Sequence, residues 1–199
     1  EDDTPLVYVT NNLSGSLTVI GDGGDTTTFV NFCKEPTGVA VTPDGTAVYV
    51  ACTGEKSVKV FRASNHTVAK TITVGNRPWG VAVGSDGQYV FVTNSEDDEV
   101  SVIATRDNSV VETISVGDNP RGIAAPRNGD FAYAVNQDGD SIHKIAITAT
   151  DPFKATTSEF GSNQIKNAVS IGAFIGGTPP SASPSAPAGS RGSHSSGWP

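Results

Sequence analysis

The sequence has no methionine and only two cysteines. A translated chain starts with Met, so Glu1 reads as a processed start, with a removed secretory signal as the simplest cause. Basic side chains are scarce, 13 Lys and Arg against 21 Asp and Glu, and they are scattered. That excludes the clustered basic face a nucleic-acid partner needs. No run reaches the roughly 18 apolar residues of a membrane-spanning helix, so no membrane span is expected. The sequence has no Gly-x-Ser-x-Gly elbow, no phosphate loop and no Cys-x-x-Cys-His. No catalytic set emerges and no cofactor is expected. The three histidines, His66, His143 and His194, do not converge on one strand position or turn, so no metal site is expected.

What is present is a repeat. Pro36-Thr37-Gly38-Val39-Ala40-Val41 recurs as Pro78-Trp79-Gly80-Val81-Ala82-Val83 and as Pro120-Arg121-Gly122-Ile123-Ala124-Ala125, at one unchanging interval. Tyr49-Val50-Ala51-Cys52, Phe91-Val92-Thr93-Asn94 and Tyr133-Ala134-Val135-Asn136 keep the same spacing, and Tyr8-Val9-Thr10-Asn11 precedes them. Turn triplets such as Pro43-Asp44-Gly45 and Ser85-Asp86-Gly87 separate the first motif from the second, with Gly supplying the positive φ. Two further short apolar runs complete each unit, for example Ser57–Phe61 and Val68–Val74. Four short strands per unit of about 42 residues predict an all-β chain of β-propeller blades. About four blades fit within residues 1–175, and the first begins at its second strand.

The unit Pro-x-Gly-Val-Ala-Val…Asp-Gly…Tyr/Phe-Val-Thr-Asn resembles the YVTN family of β-propeller repeats, whose signature Tyr8–Asn11 spells outright. The resemblance covers about residues 5–175. It implies a secreted or surface-layer-associated propeller, usually with more blades than this chain carries.

Cys33 falls on the connection from one unit's last strand to the next unit's first. Cys52 ends a second strand. Both positions belong to the same face of a four-stranded blade, so a disulfide is expected; two buried thiols or a metal pair are the alternatives. Asn12-Leu13-Ser14 and Asn65-His66-Thr67 make Asn12 and Asn65 candidate N-glycosylation sites. The acidic tips Ser95–Glu99 and Gln137–Asp140 read as solvated hairpins, with calcium binding as the alternative. The residue between Pro and Gly differs in each repeat. Thr37, Trp79 and Arg121, with Arg77 and Asn119 beside them, are therefore expected at the mouth of the channel. An exposed Trp beside two Arg is the best ligand-site candidate; blade packing is the plainer reading.

Ala168-Val169-Ser170-Ile171-Gly172-Ala173-Phe174-Ile175 looks like one more first strand. It would close the ring within one chain, complete a ring shared by two chains, or be donated along a fibre. Residues 176–199 turn to Pro, Ser, Gly and Ala and end at Trp198-Pro199, a linker or an anchoring arm. These features lead to the expectation of a secreted or cell-surface structural and interaction protein, not an enzyme. It would self-assemble or anchor through Ala168, Val169, Ile171, Phe174, Ile175 and Trp198, as in a filament or surface layer, with a homo-oligomeric, envelope or glycan partner. A ligand- or glycan-binding module is the alternative, and a lactonase- or lyase-type propeller enzyme comes after it.

Overall fold

The computed structural model describes residues 6–126, 131–148 and 154–160. Ala168–Ile175, the 176–199 segment with Trp198, and the 127–129 turn lie outside the described residues. The described chain is all-β and forms a succession of antiparallel sheets. The first has three strands, β1 (Val7–Asn11), β2 (Ser16–Ile20) and β3 (Thr26–Phe29). The second joins β4 (Pro36–Val41), β5 (Ala47–Cys52), β6 (Ser57–Arg62) and β7 (Thr67–Thr73). The third joins β8 (Pro78–Val83), β9 (Tyr89–Asn94), β10 (Glu99–Ala104) and β11 (Ser109–Ser115). The fourth joins β12 (Pro120–Ala124), β13 (Phe131–Asn136), β14 (Ser141–Thr148) and β15 (Lys154–Phe160). Each sheet pairs its strands in chain order, which is the blade of a propeller.

The second and third strands of a blade lie between neighbouring blades, so both of their faces are covered. That is why they read as unbroken apolar runs instead of alternating ones. Val48 to Cys52 and Val90 to Asn94 are buried at every position. Three apolar clusters fill the junctions: Leu17, Val48, Val50 and Phe61 between the first two blades; Tyr49, Val58, Val92 and Ile103 in the next; Phe91, Val100, Ala134 and Ile145 in the last. The outermost strands β7 and β11 are mostly exposed or half-buried and alternate with Thr, Lys, Glu and Ser.

The Pro-x-Gly motif is a bulge. Pairing of the first strand with the second slips between Pro36 and Val39, between Pro78 and Val81, and between Pro120 and Gly122. A bulge frees main-chain groups from the ladder and re-aims them. Here it turns the carbonyl of residue x toward the preceding blade. Thr10 Oγ1 donates to Thr37 O at 2.6 Å, Thr37 Oγ1 to Trp79 O at 3.0 Å, and Thr93 Oγ1 to Arg121 O at 3.2 Å. Blades approach so closely there that a Cβ on Gly38 would overlap the Trp79 carbonyl, and one on Gly80 the Arg121 carbonyl. The glycine is a packing requirement, since neither residue has a positive φ.

Candidate functional site

One face of the blades is built from two kinds of loop, the connection leading into each first strand and the tip between second and third strands. Their backbones join in the same way three times. Thr53 N donates to Glu35 O, Ser95 N to Arg77 O and Gln137 N to Asn119 O, at 3.0–3.1 Å. Glu35, Arg77 and Asn119 all adopt left-handed backbone, with φ of 53°, 48° and 52°, as do Lys56, Asp98 and Asp140 at the tips. Non-glycine residues held in that region carry strain that the two joined loops maintain.

The tip acids are part of this scaffold. Glu55 Oε1 accepts from Lys34 N at 2.7 Å. One repeat later, Asp97 accepts from Asn76 N and Nδ2, both at 2.6 Å. The Asn76 main-chain N–H, then its side-chain amide, hold the Asp97 carboxyl below its usual value. Asp98 Oδ1 accepts from Asn119 N at 2.8 Å and Asp138 Oδ2 from Asn119 Nδ2 at 2.9 Å. The tip residues Glu96, Asp97, Asp98 and Asp138 are exposed, and three of these carboxylates, Asp97, Asp98 and Asp138, also reach back to an amide of a neighbouring connection. Among the described residues, no three His, Cys, Asp or Glu side chains gather as metal ligands.

At the junction of the third and fourth blades these loops enclose a cleft of about 490 Å³, lined by Arg77, Ser95, Glu96, Asp98, Asp118, Asn119, Arg121 and Asp138. Arg121 lies over the Trp79 ring, 4.5 Å from its centroid, and its Nε donates to Asn119 Oδ1 at 3.2 Å. Among the described residues it has no carboxylate partner within ion-pair distance. Arg77 is half-exposed and meets Glu96 at 3.5 Å. Of the four proposed mouth residues the structure thus gathers three: Arg77 and Arg121 in the cleft and Trp79 beneath Arg121. Thr37 is elsewhere, bonded to Thr53 Oγ1 at 2.8 Å and to the Trp79 carbonyl. Asn119, expected beside the mouth, lines the same cleft, as do Glu96, Asp98 and Asp138 of the acidic tips; Asp118 escaped sequence reasoning. The signal is in the loop order, because each repeat brings one connection and one tip to the same face, the argument that pairs Cys33 with Cys52.

Cys33 and Cys52 form a disulfide, with Cα atoms 5.8 Å apart. The repeat explains its place. Cys52 occupies the position of Asn94 and Asn136, and Cys33 that of Gly75 and Gly117. A Cβ on Gly75 would come within 2.7 Å of the Asn94 amide. With its amide turned to satisfy both groups, Asn136 donates to Gly117 O at 3.2 Å and accepts from Gly117 N at 3.3 Å and Ser141 Oγ at 2.9 Å. In the second blade the disulfide replaces this clamp, and Ser57, the counterpart of Ser141, is left with a buried hydroxyl lacking a partner.

A second cleft of about 560 Å³ at the first two blades is lined by Asn12, Cys33, Lys34, Glu35 and Glu55 among others. It has no arginine and no aromatic floor. Asn12 is exposed there with Nδ2 3.4 Å from Pro36 O, and Asn65 is exposed in the turn between β6 and β7. His66 stacks on Phe61, and His143 meets Asn136.

The family model described as lactonase, 7-bladed beta-propeller, matches residues 2–110 and 81–164. Solved structures share the fold. Virginiamycin B lyase from Staphylococcus aureus aligns with a TM-score of 0.64 at 15% identity, covering 80% of this chain and 53% of that one. Dihydro-heme d1 dehydrogenase NirN gives 0.63 at 20%, covering 76% and 34%. Kuenenia stuttgartiensis hydrazine synthase gives 0.58 at 23%, covering 76% and 42%. This chain therefore spans about half or less of the length of each. No curated protein matches the sequence. These findings overturn two expectations, a structural self-assembling subunit and the absence of enzymatic activity: the matched family is a lactonase family, and two of these fold relatives are named as a lyase and a dehydrogenase. The physical reason for the error is that a propeller site is assembled from loops of different blades, so no compact motif marks it. The YVTN resemblance is supported as far as propeller kinship, without a specific tie to surface layers. The chain belongs to the lactonase, seven-bladed β-propeller family.

Proposed function

We propose that the cleft between the third and fourth blades opens lactone rings by hydrolysis. One observation carries the reading: Arg121 lies over the Trp79 ring, without a carboxylate partner among the described residues, in a cleft it shares with Asp98, Asp118 and Asp138. In this reading a cleft carboxylate, Asp118, takes a proton from water. The water oxygen attacks the acyl carbon, and the Arg121 guanidinium offsets the charge that grows on the carbonyl oxygen. The acyl carbon–ring oxygen bond then breaks, the proton passes to the departing alkoxide, and a hydroxy acid results. Asp98 and Asp138 position Asn119, which in turn accepts from Arg121 Nε and sets its orientation. Trp79 supplies an apolar, electron-rich ring beneath the guanidinium that holds it by a cation–π contact.

The disulfide and the two exposed sequons support an extracellular place of action, where a disulfide persists. The YVTN-like spelling of the repeats supports kinship with secreted propellers of that kind.

The test is acid release from a panel of γ- and δ-lactones at constant pH. Arg121→Ala is expected to lower kcat/KM by about 10²-fold or more, as loss of an oxyanion-stabilising donor does. Hydrolysis that is unchanged in this variant, or absent from the native protein across the panel, refutes the proposal.

A further inference from the structure

The connections entering the second, third and fourth blades are equivalent at Lys34, Asn76 and Asp118, each one repeat from the next, and so are the tip positions Glu55, Asp97 and Gly139. In the second and third blades the tip carboxylate accepts the main-chain N–H of the connection, from Lys34 at 2.7 Å and from Asn76 at 2.6 Å. In the fourth blade the tip residue is glycine, and among the described residues no carboxylate accepts the Asp118 N–H. The geometry is otherwise kept. Asp138 N donates to Asp118 O at 3.3 Å, as Glu96 N does to Asn76 O at 3.4 Å. A Cβ built on Gly139 would stand 3.1 Å from Asp118 N, a tight contact that a shift of a few tenths of an ångström relieves, so a side chain there lies against that amide. Asp118 also lines the cleft that holds Arg77 and Arg121.

We propose that this gap is a subsite for a ligand carboxylate, which accepts the Asp118 N–H where Glu55 and Asp97 supply the chain's own carboxylate in the preceding blades. The ligand is a hydroxy acid, its carboxylate shared between Asp118 N and the Arg121 guanidinium, which faces the same oxygen as a carbonyl in the lactone. This deepens and rests on the lactone-opening reading, since a hydroxy acid is that reaction's product. Bound there, the product competes with substrate.

The cleft carries four acids and two arginines, a balance that opposes anions in general. Three of those acids are engaged: Glu96 with Arg77, Asp98 and Asp138 with Asn119. The chain holds a carboxylate among like charges one blade earlier, with a main-chain N–H that Asp118 shares and a side-chain amide in the place of which Asp118 carries a carboxylate. Asp97 sits among Glu96, Asp98 and Glu99, yet it remains bonded to Asn76 through both oxygens. Charge-assisted hydrogen bonds from fixed donors are the strong ones. Binding is thus expected to be selective for carboxylates that reach the amide, not for anions as a class.

The experiment is a titration of the ¹⁵N-labelled chain with 4-hydroxybutyrate, followed at the Asp118 amide by NMR, with neutral 4-hydroxybutanamide as control. The Asp118 resonance is expected to shift with the carboxylate and not with the amide. Gly139→Asp places an internal carboxylate in the gap and should weaken binding about tenfold or more, the loss of one charge-assisted bond. Asp97→Gly, the converse change, should open a second gap and make the Asn76 amide respond to the same ligand. A silent Asp118 amide in the native chain overturns the proposal. So does a response to both ligands, or one that Gly139→Asp leaves intact. The titration reads binding without turnover, so a shift in a protein that opens no lactone keeps the subsite and removes the lactonase reading. Turnover with a silent amide does the reverse.

Discussion

The clamp between Cys33 and Cys52 can be exchanged for the one its sister blades use. The double variant Cys33→Gly, Cys52→Asn copies the Gly117–Asn136 arrangement into the second blade. Removing the disulfide releases a loop with a sequence separation of 19, worth about 3 kcal/mol in the chain-entropy account. An asparagine at 52 would reach Ser57 Oγ, now buried without a partner, and the main chain at 33. About two hydrogen bonds at ~1 kcal/mol each would be regained. The glycine at 33 costs ~0.5–1 kcal/mol in unfolded-state entropy. The net loss is about 2 kcal/mol, against about 3 kcal/mol or more for Cys33→Ala, Cys52→Ala, which restores nothing and leaves a void. Urea unfolding of the two variants beside the native chain measures the difference, provided the slopes agree. If the Gly/Asn variant is no more stable than the Ala/Ala variant, the equivalence of the two clamps is wrong. The disulfide would then be an isolated cross-link, not a substitution within the repeat.

Two other outcomes follow from the same loops and turns. Arg77 is held at φ 48° where its fourth-blade counterpart is Asn119; Arg77→Asn should raise stability by about 1 kcal/mol, because Asn tolerates left-handed backbone, and unfolding midpoints check it. Burial, and next the nearby Asp44 carboxylate, push the Tyr49 hydroxyl up to about 12, and it donates to Asn108 Oδ1 at 2.5 Å. The unfolded chain releases this proton near pH 10 and the folded chain does not, so Tyr49 makes stability fall as pH rises from about 10 toward 12. Tyr49→Phe should flatten that limb while costing about 1 kcal/mol at neutral pH, both read from unfolding curves across pH.

The family match at residues 2–164 and the cleft answer different questions about the chain. Belonging to a lactonase family directs attention to ring-opening chemistry. In the reading proposed above the cleft supplies residues for it, with side chains from two blades. Arg77 comes from the connection into the third blade and Arg121 from the first strand of the fourth. Asp98 and Asp138 come from two different tips. These residues are spread over two repeats, so pattern reading along the chain passes over them. Trp79 and Arg121 stood out because a varying residue inside an otherwise repeated motif is visible. The tip acids were visible as a cluster but not as part of this cleft, because carboxylates at hairpin tips are ordinary until their partners are known.

The sequence by itself determined the blade. Strand length, turn glycine and the period of the repeat are local, and local preference agrees with the fold at each of them. It also indicated which residues share a face, since strand alternation and loop order fix that without tertiary contacts. Tertiary structure alone decided what the shared face does. The glycines of Pro-x-Gly proved to be points of contact between blades. The tip acids proved to be partners of connection amides, and one tip, at Gly139, proved to lack the acid its neighbours carry. Each of these depends on two segments half a repeat or a whole repeat apart meeting within hydrogen-bond reach. Such meetings are set by the packing of blade on blade, not by the order of residues in any one strand.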